Sequence, residues 1–429
     1  MNFSDQIKNT EYRNELFIKL ILLFLFLMIN PKALTLLPEP LQTVYPKIFK
    51  NSTISLMVIL LIGNWAFDKN ILQKLKNGIQ NPFFIIAFSY WFLHVVGILY
   101  SHNTREANFV VEKKLSLIIF PLIFTSINLS ETSKLNIMQW FVVLVFISSI
   151  LSICFGLYNY SLTHDIQSIM LENSLIIDIH RVVMSMYLTL GAYFVFELHK
   201  QKRISLYHLI TYMALATIHI FLLASRLYLV TFVVWVYYLF YTYIIHKKIF
   251  WAVSVSGVFV VLVSGFALFK CSKSFKSQVE TVFMPRQNNA SNTNGVSERK
   301  YQWDAATTLI KKHPFTGVGQ GDVEDSLINQ YKKMNWQIGV IHKYHAHNQY
   351  LQSFIALGLG GVITLLALIF YPFLPIRKTS TESKMCAVLF AIAMLTDNHT
   401  EIQQSVVFMF LWLSLFLNLK KTDNYEHST

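Results

Sequence analysis

The sequence predicts an all-α, polytopic integral membrane protein with about 12 transmembrane helices and one long extramembrane loop. Three observations lead there. Of the 429 residues, 54% are hydrophobic and only 14% charged, with a mean hydropathy of +0.45; a soluble domain of this length carries more charge. Runs of about 20 mostly apolar residues recur along the chain, the length that crosses a bilayer core. These runs are apolar all round rather than striped, unlike surface helices. The 35 phenylalanines suit lipid-facing and helix-packing positions.

The candidate spans lie near 16–37, 51–67, 82–100, 108–127, 136–159, 181–198, 206–224, 226–245, 249–270, 349–374, 384–396 and 404–419. The polar start MNFSDQIKNTEYRNE lacks a cleavage pattern, so the first run is expected to be retained as a helix. The expected division is helices one to nine over 1–270, a long loop over 271–348 and three helices over 349–429.

Loop charge then orients the helices. Lys69, Lys74 and Lys76, then Lys200, Lys202 and Arg203, then Lys247 and Lys248, then Arg377, Lys378 and Lys384, then Lys420 and Lys421 fall on one side. By the positive-inside rule that side is cytoplasmic, and both termini lie there. The loop at 160–180 carries Asp165, Glu172 and Asp178 without Lys or Arg, and TDNHTEIQQ at 396–404 carries Asp397 and Glu401; both suit the outside. The net charge of +13 therefore points to cytoplasmic loops and anionic membrane lipids, and nucleic acid is not an expected partner. Three cysteines make no disulfide framework or zinc spacing.

The long loop also falls outside. QNNASNTNG at 287–295 reads as a flexible tip. YQWDAATTLIKKH at 301–313 has Trp303, Ala306, Leu309 and Ile310 at helical spacing, Pro314 stops that helix, and FTGVGQGD turns the chain. A short amphipathic helix on the membrane surface is expected.

Some residues are not accounted for by topology. Arg226, in LLASRLYLV, sits in a tight outer connection where the charge rule predicts no arginine. It is either a functional group or a side chain snorkelling to lipid phosphate. Arg181, after His180, opens the sixth helix on the same side and reads equally as an interface anchor. Arg299 lies in SERKYQW, where a solvated loop charge is the plain reading. Lys113 and Lys114 follow Glu112 near the outer start of the fourth helix; they either pair locally or offer charge to an anion. In HAHNQ, before an uncharged helix, His345, His347 and Asn348 are candidates for chemistry. With His342 they lack a carboxylate at helical spacing, so no metal site is expected. GVGQG at 317–321 lacks the strand and acidic partner of a dinucleotide fingerprint. No cofactor is expected.

Together these segments resemble the O-antigen ligases and related polymerases of bacterial surface polysaccharides, with protein O-oligosaccharyltransferases as cousins. That family's pattern is a His, then Asn, Ser or Gln, nine residues, Gly, two residues, and Gly, Thr or Tyr. Here it is His347, Asn348, nine residues, Gly358, Leu359, Gly360 and Gly361. WDAATTLIKKHPFTGVGQGD and ASRLYL are similar to two further family segments. The resemblance implies a GT-C-like, metal-independent glycosyltransferase of the inner membrane. Its donor would be an undecaprenyl-diphosphate-linked glycan at the periplasmic face. Its acceptor would be lipid A-core, another glycan or a protein. The essential His falls on His347, and the family's arginines fall by motif on Arg226 and Arg299.

The residue types suit that chemistry. A diphosphate leaving group gains charge as its bond breaks, and arginines hold phosphate oxygens bidentately. An imidazole, with an ordinary pKa of about 6.5, is competent to accept a hydroxyl proton near pH 7. Direct displacement would invert the anomeric centre. His345, Asn348, Arg181, Lys113 and Lys114 are supporting candidates. Ligase is the favoured reading over polymerase. A transporter of lipid-linked sugars is the rival from another class, although no internal repeat is visible.

Overall fold

The computed structural model describes residues 10–29, 63, 70–125, 129–165, 168–169, 180–223, 225–243, 295–374 and 379–417. The expected span at 249–270, and that at 51–67 apart from Gly63, lie outside these residues. So do all but the last residue of the tip at 287–295, most of the loop at 160–180, and Lys69, Lys247, Lys248, Arg377, Lys378, Lys420 and Lys421.

All the regular structure described is helical. In chain order it comprises α1 (Thr10–Ile29), α2 (Ile71–Ile79), α3 (Pro82–Ile98), α4 (Thr104–Lys113), α5 (Ser116–Thr125), α6 (Glu131–Thr163), α7 (Arg181–Lys200), α8 (Leu206–Leu222), α9 (Arg226–Tyr243), α10 (Gly295–Lys312), α11 (Val323–Lys333), α12 (Gln337–His342), α13 (Gln349–Phe370), α14 (Thr381–Ala393) and α15 (Gln403–Leu417). Short 3-10 turns occupy Gln320–Asp322 and Tyr371–Phe373. Among the described residues, three stretches are individually long and apolar enough to cross a membrane: Glu131–Thr163, Arg181–Lys200 and Gln349–Phe373. The pair α2 and α3, bent by 70° at Asn81, makes a fourth if read as one span. Asn81 caps α3 by accepting from the Phe83 N–H at 2.9 Å, and Pro82 fits the first helical position, where no N–H is needed.

The single helix expected over 108–127 is instead two. It breaks after Lys113, and Lys114 turns inward at the break. A buried ammonium needs a partner, and the break brings Lys114 to Glu401, 2.7 Å away.

The core is centred on α7 and α15, whose residues are buried on nearly every side. Aromatic rings from α6, α7 and α15 interlock there. Tyr187 lies 4.3 Å from Phe408, Phe194 4.6 Å from Trp412 and Phe141 5.1 Å from Trp412, centroid to centroid. Edge and tilted pairs of this kind add to plain area burial.

The helix ends sort into two groups. Lys134 of α6 pairs with Glu382 of α14 at 3.0 Å, and Ser380 reaches the Phe416 carbonyl, at one end of the bundle. Lys114, His180, Asn348 and the turn at 394–402 gather at the other.

The described part of the long loop is ordered by α13. Gly358 interrupts α13 with φ +65°, and the freed backbone groups pair with the turn after α10. Val318 N–H donates to the Ile355 carbonyl (2.8 Å), Gly319 N–H to Ala356 (3.1 Å), and Leu359 N–H to Pro314 (2.9 Å). A Cβ on Gly358 would sit 2.2 Å from the Phe315 carbonyl oxygen. The glycine of the HN-x9-G spacing and the glycines of PFTGVG thus serve one contact, in which a loop backbone, rather than a neighbouring helix, packs against α13. Gly358→Ala is expected to destabilise the protein by about 2–3 kcal/mol, from overpacking against backbone and an unfavourable φ. The thermal midpoint of the detergent-purified protein checks this.

Candidate functional site

The site forms where the N-terminus of α13 meets the turn between α14 and α15. Asn348 is the N-cap of α13: its side-chain oxygen accepts from the N–H groups of Tyr350 (3.0 Å) and Leu351 (3.1 Å). Its amide nitrogen donates to the Leu395 carbonyl at 3.2 Å, and its backbone N–H donates to Asn398 Oδ1 at 3.0 Å. Gln349 N–H donates to the Met394 carbonyl (2.8 Å), and its side-chain oxygen accepts from Thr400 N–H (2.8 Å). The amides of HAHNQ therefore lash the helix start to the segment 394–400.

That lashing delivers a carboxylate to His347. His347 Nδ1 lies 3.5 Å from Asp397 Oδ1, and His180 Nδ1 lies 4.0 Å from Asp397 Oδ2. Burial pushes the Asp397 carboxyl up, but the hydrogen bond and charge of His347 and the charge of His399 outweigh this and hold it well below the usual range. Asp397 is an anion at neutral pH. A carboxylate at Nδ1 favours the tautomer with Nε2 free to accept a proton. His347 has φ +44°, a left-handed conformation that non-glycine residues rarely adopt. The segment before it is pinned: Trp303 donates its indole N–H to the Ala346 carbonyl (3.1 Å) and Tyr331 its hydroxyl to the Tyr344 carbonyl (2.9 Å). Backbone strain of this kind collects at functional sites.

Cationic side chains border the pair. Arg299 Nη2 donates to the Thr396 carbonyl at 3.3 Å, and its charge interacts with Asp397 and Arg181. Arg181 is the first residue of α7, directly after His180. Arg226 is the first residue of α9; its side chain lies outside the described atoms. Tyr228, two residues on, is within electrostatic reach of Asp397. The starts of α7, α9 and α13 thus converge here, and helix N-termini favour anions. His399 is buried with Nδ1 2.7 Å from Ser405 Oγ, and burial pushes its imidazole down to about 4, so it is neutral at pH 7. His345 interacts with Glu401, Glu324 and His347, and desolvation lowers its pKa as well.

The two lysines separate from this group. Lys113 Nζ lies 4.5 Å over the Phe109 ring. Lys114 is fully buried and engaged by Glu401, so it braces the floor of the site. That floor continues through Thr400 and Gln349 to Ser353, whose hydroxyl is 2.9 Å from Tyr90 Oη. His94 pairs with Gln320, whose amide donates to the Ala107 carbonyl at 2.7 Å. Burial raises the Glu401 carboxyl, but Lys114 outweighs it and holds it down to about 2. A carboxyl depressed in the folded state contributes stability above its unfolded pKa of about 4.3. That stability is lost as pH falls from there toward 2. The thermal midpoint should therefore drop through this acid window. Removing Lys114 alone, as in Lys114→Met, leaves a buried unpaired charge and is expected to destabilise by about 3–5 kcal/mol at pH 7.

Residues 211–366 match the family model Wzy_C, described as O-antigen ligase. That segment is similar to the O-antigen ligase family. The match runs from α8 through Arg226, α10, the turn at 314–319 and HAHNQ into α13, and ends before Asp397. No curated protein matches the chain. This similarity supports glycosyl transfer of the ligase and polymerase type, with a lipid-linked glycan and a glycan acceptor as partners in general. With its apolar helices it also supports a membrane protein.

The structure brings together His347, Asn348, His345, Arg299 and Arg181 from the sequence candidates. Sequence reasoning missed Asp397, Asn398 and His399. The run TDNHTE served there only to mark the outer side. Its acid and two amide or imidazole neighbours between two apolar helices were the available signal.

Proposed function

We propose that the chain is an O-antigen ligase that moves a glycan from undecaprenyl diphosphate to lipid A-core at the periplasmic face of the bacterial inner membrane, with both termini cytoplasmic. The architecture is read as GT-C-like, with the long loop over 271–348 between helices on either side. The observation that carries the reading is the His347–Asp397 pair at 3.5 Å, bordered by Arg299.

In the reaction, the acceptor oxygen attacks the anomeric carbon as the bond from that carbon to the diphosphate oxygen breaks. The hydroxyl proton passes to His347 Nε2, and the electron pair of the broken bond leaves on the diphosphate. Asp397 orients the ring and stabilises the imidazolium that forms. Arg299 and Arg226 hold the diphosphate, with Arg181 close to Arg299. Asn348 positions His347 by capping α13 and holding the 394–400 segment. Attack opposite the leaving group inverts the anomeric centre. No metal or cofactor takes part in this scheme.

The test is transfer in detergent, with no compartments, from a defined undecaprenyl-diphosphate glycan to either lipid A-core or a second lipid-linked repeat. Product on lipid A-core supports the ligase. Elongation of the lipid-linked chain instead makes the protein a polymerase. No transfer to any acceptor overturns the enzyme reading and leaves transport.

A further inference from the structure

Trp303 lies on the open side of α10, 39% exposed, while Gln302, Ala305, Ala306 and Leu309 on the other side are buried. Arg299 precedes it by four residues, so the two side chains are neighbours on one helix face. Its indole N–H is fixed on the Ala346 carbonyl, one residue before His347. One exposed aromatic ring is therefore a helix neighbour of the arginine that borders Asp397 and is tethered one residue from the histidine paired with it.

In the proposed reaction the donor's first sugar lies next to these two groups. In the displacement, the anomeric carbon bonds to the diphosphate on one side and receives the acceptor oxygen on the other. A ring spanning the two groups belongs to the first sugar of the donor. The apolar C–H face of a pyranose and the flat face of an indole are complementary, and a rigid aromatic supplies contact area at little entropic cost. We propose that Trp303 is a stacking platform for the first sugar of the lipid-linked donor and so contributes to donor specificity. The proposal rests on the glycosyl-transfer reading of this site.

The full chain in detergent is titrated calorimetrically with undecaprenyl diphosphate, bare and carrying one N-acetylglucosamine. The native protein is expected to bind the sugar-bearing lipid about tenfold more tightly. Trp303→Ala should erase that difference while binding bare lipid as before. Trp303→Phe, which keeps a ring but loses the N–H, should retain most of it. Equal binding of the two lipids by the native protein overturns the platform and leaves Trp303 as an interfacial anchor. A Phe variant that loses as much as the Ala variant also overturns it, because the tether to Ala346 would then be the whole effect. Failure to bind either lipid overturns the diphosphate site itself, and the platform with it.

Discussion

His347→Ala is expected to lower kcat for glycan transfer by about 10²–10⁴-fold, the usual worth of a positioned general base, while expression and membrane insertion stay intact. The side chain is about one-third exposed, and its ring nitrogen meets Asp397 without filling a core position. Truncation therefore leaves no large cavity. What it removes is the proposed acceptor for the hydroxyl proton. Asp397→Asn is the companion test. It keeps the shape of the side chain but loses the charge that stabilises the imidazolium. Because His347 and Asp397 act as a unit, the double variant should be little worse than His347→Ala alone. Full transfer by His347→Ala protein would sink the base assignment.

Arg299→Ala is expected to lower kcat by about 10²–10³-fold, the scale of losing one donor to a developing negative charge. The loss should fall on kcat more than on KM, since charge on the diphosphate grows as the bond breaks. Arg299→Lys restores a charge but not the planar fork, and partial recovery is expected. Stability should change little, because the guanidinium makes one hydrogen bond, to the Thr396 carbonyl at 3.3 Å. Arg226→Ala is expected to act in parallel on the other arm of the clamp. Steady-state assays with lipid-linked donor separate these outcomes, and wild-type kcat in Arg299→Ala would remove it from the clamp.

Much of the architecture was legible in the chain. Long apolar runs have one stable solution in lipid, the helix, because every backbone group must be satisfied internally. Expected helices at 82–100, 181–198, 206–224 and 349–374 correspond to α3, α7, α8 and α13 with its 3-10 turn within a few residues. The break at Lys114 was not legible, since its cause, Glu401, is far along the chain.

The sequence by itself determined an all-helical membrane protein, the motif histidine and the arginines, because apolar run length, loop charge and motif spacing are local quantities. Only the tertiary structure decided what His347 and Arg299 face. Asp397 is 50 residues beyond His347, on the far side of two helices, and hydrogen bonds between Asn348 and Gln349 and the turn at 394–400 bring it to the ring. Gly358 likewise fits the motif in one dimension, but its reason is the backbone of Phe315 pressed against α13. Pairing across helices depends on packing, which no spacing along a single run encodes.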